Sequence, residues 1–151
     1  MSEQITKIKV NKDLTAIVYY KNSSKLDTRE IVFKGGEKIT NEFNQAFQNT
    51  TYTLTEIIPG LQSDIGKLKM TAVAFDYKGS NLDKVSYIAE YKPQKGITAE
   101  LPIKKVPIFR EDIKSFSVSG KDVELLNSIL DYAKKYIEGE TRTKQMKIEV
   151  A

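Results

Sequence analysis

The apolar residues of this chain change period along its length, from two to 3.6, back to two and again to 3.6. Side chains alternate across a strand and recur every three or four residues on a helix, so this succession predicts strands, a helix, more strands and a second helix. The closing helical stretch is the cleanest. Over residues 119–140, Val123, Leu126, Ile129, Leu130, Ala133, Tyr136 and Ile137 form one apolar stripe, suited to covering a sheet. Ser119 with Asp122 resembles a capping box, and Gly139 is expected to stop the helix.

The opening reads as a three-stranded meander. Residues 5–10 place Ile8 and Val10 on one face, residues 15–21 are β-branched and aromatic, and residues 29–34 alternate through Ile31 and Phe33 to Gly35-Gly36. From Asn41 the helical period sets in, through Phe43, Ala46, Phe47, Leu54, Ile57 and Ile58, with Thr40 or Asn41 as N-cap. Thr50-Thr51-Tyr52-Thr53 has poor helix propensity, so two short helices with a break are expected before the stop at Pro59-Gly60.

Residues 68–77 are apolar on both faces and read as a central strand. Lys78-Gly79-Ser80-Asn81 turns the chain into a strand over 84–91. Pro102 and Pro107 imply that a sixth strand over 97–103 lies at an edge or ends early. A connection over 108–118 leads to the closing helix. The fold expected is α+β: an antiparallel sheet of about six strands in a βββ-α-βββ-α order, with both helices on one face. Residues 20–27 and 77–83 share an echo (Tyr-Lys, small polar residues, then Leu-Asp). It admits a duplication, but two turns choosing the same residues independently is preferred.

A length of 151 residues suits one domain, with residues 1–140 as the globular body and 141–151 as a basic tail. No apolar run approaches the roughly 20 residues that span a bilayer, and from Met1-Ser2-Glu3-Gln4 no signal peptide is expected. No membrane partner is expected. The chain has no cysteine and no histidine, which removes disulfides, thiolate sites and the commonest general base and metal ligand together. Zinc is excluded on these grounds, and a metal would need oxygen ligands. The 24 basic and 20 acidic residues give +4, spread over both halves rather than gathered in one stripe.

The blocks resemble, in their order, a family of small uncharacterised proteins encoded by bacteriophages and prophages. The similarity rests on the first strand at residues 5–10, the helix start Ile39-Thr40-Asn41-Glu42-Phe43-Asn44-Gln45-Ala46-Phe47, the central strand Leu68-Lys69-Met70-Thr71-Ala72-Val73-Ala74-Phe75, and the closing Tyr136-Ile137-Glu138-Gly139-Glu140-Thr141-Arg142 with Gln145. The helix-start proline frequent in that family is absent. The resemblance implies a virus-encoded protein of the bacterial cytoplasm and carries no activity, cofactor or catalytic residue with it.

Asp76 followed by Glu90-Tyr91-Lys92 imitates a magnesium nuclease set. With Asp76 opposite Val85, however, Glu90 stands ~15 Å away along the next strand, too far to share an ion. No phosphate loop is present, since Gly35-Gly36 lacks the Gly-Lys-Ser/Thr ending. No enzyme and no cofactor are expected.

Strand aromatics Tyr19, Tyr20, Phe75, Tyr77, Tyr87 and Tyr91 lie near Lys21, Lys69, Lys78, Lys84 and Lys92. They could stack bases, although core packing is the preferred reading. The tail holds Arg142, Lys144 and Lys147. If Met146, Ile148 and Val150 alternate as an edge strand, the tail would pair with a second copy. The expectation is a non-catalytic, phage-type binding protein acting on a host or defence protein, with an accessory single-stranded nucleic-acid binder as the alternative. Candidate contacts are Arg142, Lys144, Lys147, Tyr77, Lys78, Tyr91 and Lys92.

Overall fold

The computed structural model describes residues 2–24 and 26–150, with side chains for 3–24 and 26–139. Along the chain lie β1 (Ser2–Val10), β2 (Ala16–Ser23), β3 (Thr28–Lys34), α1 (Asn41–Ile57), 3-10 turns (Pro59–Lys67), β4 (Leu68–Lys78), β5 (Asn81–Gln94), β6 (Ile97–Pro107) and α2 (Lys121–Val150). The strands form one six-stranded antiparallel sheet ordered β3-β2-β1-β4-β5-β6. No helix is long and apolar enough to cross a membrane, among the described residues.

A single cross-strand row spans all six strands: Phe33, Val18, Ile8, Val73, Tyr87 and Ile103. Alternation puts every member on one face, where Ile8, Val18, Val73 and Tyr87 are fully buried. Both helices cover that face, contributing Phe43, Phe47 and Leu54 from α1 and Leu126, Ile129 and Ala133 from α2 to the same core. Phe43 stacks on Tyr132, ring centres 5.9 Å apart, and Tyr136 meets Phe33 edge-on at 6.1 Å. Gly35 is required here because a Cβ would collide with the Tyr136 ring.

Thr40 caps α1, its hydroxyl accepting from the Phe43 amide at 3.1 Å. The expected break at residues 50–53 is absent. Threonine is a poor helix former partly because its hydroxyl competes for backbone partners. Here Thr50, Thr51 and Thr55 donate to the carbonyls of Phe47, Gln48 and Tyr52 within the same helix, and Thr53 donates to Asp122. Burial of Thr50 and Thr53 on the core side holds the turn in register. Propensity yielded to packing.

At the other end, Gly139 does not stop α2. The backbone stays helical to Val150, so the tail expected over 141–151 continues the helix, and the edge strand expected at 146–150 is not formed. Once a helix is packed along most of its length, extending it adds one hydrogen bond per residue, and one exposed glycine costs only about 1 kcal/mol. The capping box at the start is also absent, because the Asp122 carboxylate accepts from Thr53 instead.

The sheet has an internal two-fold plan. β1 and β4 pair at its centre through Lys7–Ala74, Ile8–Val73 and Lys9–Ala72, and each begins a three-stranded meander that runs outward and ends in a helix. Each central strand carries a bulge at a threonine. Thr6 donates to the carbonyl of Tyr19, opposite on β2, at 3.2 Å, and Thr71 donates to that of Ile88 on β5 at 2.9 Å. Ile5-Thr6-Lys7-Ile8-Lys9-Val10 therefore matches Met70-Thr71-Ala72-Val73-Ala74-Phe75 position for position. The Tyr-Lys…Leu-Asp echo lies elsewhere. It equates the β2–β3 turn with the β4–β5 turn, which are not equivalent under this plan, so the echo is two turns of similar chemistry.

Candidate binding surface

The helices leave the other sheet face uncovered, and alternation fills it with what the core rejects. One row across it reads Lys34, Ile17, Lys9, Ala72, Ile88, Pro102, and the next Val32, Tyr19, Lys7, Ala74, Ser86. Tyr19 is half-buried, with the Lys7 ammonium 5.6 Å from its ring centre, and Val32 is 50% exposed. Lys7, Lys9 and Lys34 thus frame an apolar strip of Ile17, Tyr19 and Val32. Among the described residues no carboxylate comes within ion-pair distance of these three lysines.

Each threonine bulge leaves a depression on this face. One, of about 530 Å³, lies where β1 and β4 part beyond their short pairing, and Lys21, Glu30, Asp76, Lys84 and Lys105 line it beside Thr6. Asp76 is held by Lys105 at 2.8 Å, and Lys21 reaches Glu30 at 4.0 Å. Lys105 comes into place through a left-handed backbone turn, φ 61°, with its amide on Ser86 Oγ. A second depression, of about 350 Å³, lies within the other half, lined by Thr71, Glu90, Thr98, Ala99 and Glu100. Lys21 and Glu30 occupy the positions that Glu90 and Glu100 occupy across the two-fold. The β1–β3 half of the face carries Lys7, Lys9, Lys21 and Lys34 against Glu30, whereas the other half carries Lys69, Lys84, Lys92 and Lys105 against Asp76, Glu90 and Glu100, with Lys92 and Lys105 ion-paired.

The residues singled out from sequence do not gather into one site. Tyr77 closes the gap between the central strands, its hydroxyl donating to the Ile5 carbonyl at 2.8 Å, and burial pushes that hydroxyl up to about 12. Tyr91 donates to Asp64 at 2.5 Å, which raises the phenol and lowers the carboxyl. Both are structural ties. Phe75 and Tyr87 are core. Lys78 and Lys92 are exposed at opposite ends of the sheet, and the side chains of Arg142, Lys144 and Lys147 lie outside the described residues.

The nuclease-like set is likewise dispersed. A tight turn with Lys78 opposite Asn81 puts Asp76 opposite Lys84 rather than Val85, and Glu90, opposite Lys69, stands ~20 Å along the strand from there. Glu90 is instead paired with Lys92 at 3.1 Å, which lowers its carboxyl. No group of three or more metal-ligating side chains converges, among the described residues.

Lys7, Lys9 and Val32, which the sequence reading does not select, and Tyr19, which it prefers as core, are the better surface. In the first and third strands the signal was there: Lys7 and Lys9 alternate with Ile8 and Val10, and Val32 with Ile31 and Phe33.

A polar cluster sits where α1 meets the start of α2. Thr53 donates to Asp122 at 3.0 Å, and Glu56 shares a hydrogen bond with Asp122 that raises its carboxyl to about 7, with burial and the neighbouring charge adding to the effect. The Tyr87 hydroxyl, buried beneath, finds no hydrogen bond of good geometry. Burial, then the charges of Asp122 and Glu56, push it well above the ordinary tyrosine value. The chain matches no family model, no curated protein and no solved structure.

Proposed function

We propose that this chain is a non-catalytic binding protein that receives an acidic protein surface on the β1–β3 half of its helix-free sheet face. The observation that carries this reading is the set of Lys7, Lys9 and Lys34 around Ile17, Tyr19 and Val32, cations without carboxylate partners framing apolar area. Such a strip suits an acidic partner with a few apolar contacts, because charge steers the encounter and the apolar centre slows release. In line with the phage-type resemblance, the partner is a host or defence protein of the bacterial cell.

The test is co-purification of the tagged chain from a bacterial host, beside a variant carrying Lys7→Glu and Lys9→Glu. Both lysines stand on the uncovered face, so the variant should fold like the parent by circular dichroism. A host protein held by the parent, lost on charge reversal and weakened by salt is the expected outcome. An empty capture, or one indifferent to the reversal, would remove the reading.

Single-stranded nucleic acid is the runner-up, since the same lysines could follow phosphates. Of the aromatics bordering this face, Phe75 is buried and the Tyr77 hydroxyl is tied to Ile5, which leaves Tyr19, whereas base-stacking surfaces use several. Labelled oligonucleotides that shift at low salt and release steeply as salt rises would favour this alternative.

A further inference from the structure

The two edges of the sheet are unequal. β6 is protected by Pro102 and Pro107, by breaks of register between Val85 and Tyr87 and between Tyr91 and Gln94 on its neighbour, and by the left-handed Lys105. Prolines, bulges and edge charges are the means by which strands avoid pairing with other chains. β3 has neither proline nor bulge, and its pairing with β2 runs unbroken from Thr28 to Lys34. It ends the sheet, and no further strand pairs with Glu30, Val32 or Lys34 among the described residues.

The Gly35 amide donates to the Ala16 carbonyl at 2.9 Å, so the odd-numbered residues of β3 bond inward to β2. In an antiparallel pair these roles alternate. Glu30, Val32 and Lys34 therefore present amide and carbonyl outward, and all three side chains lie on the helix-free face.

We propose that β3 pairs antiparallel with β3 of a second copy of this chain, about a two-fold axis at Val32. In that register Val32 meets Val32, Glu30 meets Lys34 and Lys34 meets Glu30 on the helix-free face, while Ile31 meets Phe33 on the other. Shifting the axis to Ile31 would set Glu30 against Val32 and Lys34 against Thr28, with no ion pair, so charge selects the axis at Val32. The intrachain Lys21–Glu30 pair is long and exposed, and gives way at little cost. The half-exposed Val32 becomes covered, the interface is isologous, and Lys7 and Lys9 of both copies are left free on one continuous sheet. The dimer takes Val32 and Lys34 out of the acidic-partner strip and leaves Lys7, Lys9, Ile17 and Tyr19 of each copy to it; it rests on the edge geometry of β3 rather than on that reading.

Sedimentation of the full chain at rising concentration tests it. The mass should climb from the 17.1 kDa of one chain toward twice that value. Glu30→Lys alone and Lys34→Glu alone each set like charges opposite one another twice, and each should weaken association by about tenfold or more at low salt. The two together re-form both pairs with signs exchanged and should restore it. Circular dichroism checks that the variants fold, as both side chains are exposed. A mass of one chain at every concentration, an association indifferent to the single substitutions, or a double variant that stays dissociated would each overturn the proposal.

Discussion

Residues 5–10 and 70–75 occupy equivalent places at the centre of the sheet, and setting them side by side separates what the fold requires from what it leaves free. Ile5, Ile8 and Val10 face the helices as Met70, Val73 and Phe75 do, and Thr6 and Thr71 make the same bulge with the same bond to a neighbouring carbonyl. The remaining positions differ in kind: Lys7 and Lys9 in one half, Ala72 and Ala74 in the other. Packing constrains the first set, because a slip or a polar group there reaches the core. The second set faces away from the helices, so one half is free to carry charge and the other to stay neutral. A surface under no structural demand is where binding specificity can be written.

The largest effect expected of this comparison is at the axis. Ile8→Ala and Val73→Ala each remove a fully buried side chain from the central row, and each should cost about 2–4 kcal/mol in urea unfolding. A much smaller loss at one of them would break the equivalence of the halves. Next come the bulges. Thr6→Val and Thr71→Val keep shape but lose the hydroxyl bond, and should cost about 1 kcal/mol each. Unequal losses would show that the bulges are alike in outline only.

The helices differ where the sheet agrees, and pH exposes that difference. Glu56, at the end of α1, keeps its proton up to about 7 in the folded chain against an ordinary 4.5. The folded state therefore binds more protons in that interval, and stability falls as pH rises through it. Thermal unfolding should show a lower midpoint at pH 7.5 than at pH 5, and Glu56→Gln should flatten that slope. The smallest effect is at Tyr87, whose hydroxyl is buried without a good partner. Tyr87→Phe should be neutral, or stabilising by about 1 kcal/mol or less. A marked destabilisation would mean that the hydroxyl has a bond to Thr53 that matters.

Much of the fold was legible because period is a local property. A strand that buries one face must alternate, and a helix that covers a sheet must carry a stripe, so the βββ-α-βββ-α order and the edge position of Pro102 and Pro107 could be read from neighbours a few residues apart. The errors arose where local preference met a distant contact. Thr50 to Thr53 form helix because the core and Asp122 hold them, and Gly139 is passed through because α2 is packed before it. Of the surface, Lys7, Lys9 and Val32 were visible as outward positions by alternation, whereas Tyr19 reads from sequence as core. That they lie side by side depends on the pairing of β1, β2 and β3, which no stretch of sequence states.

The sequence by itself determined the kind and order of the elements and which side of each is apolar, since both follow from spacing along one chain. Tertiary structure alone decided that the halves meet at Ile8 and Val73, that Asp76 stands opposite Lys84, and that Lys7, Lys9 and Lys34 lie around Ile17, Tyr19 and Val32 on one face. Those are distances between residues far apart in the chain, fixed by strand order and register, and register is settled by burying the whole core at once.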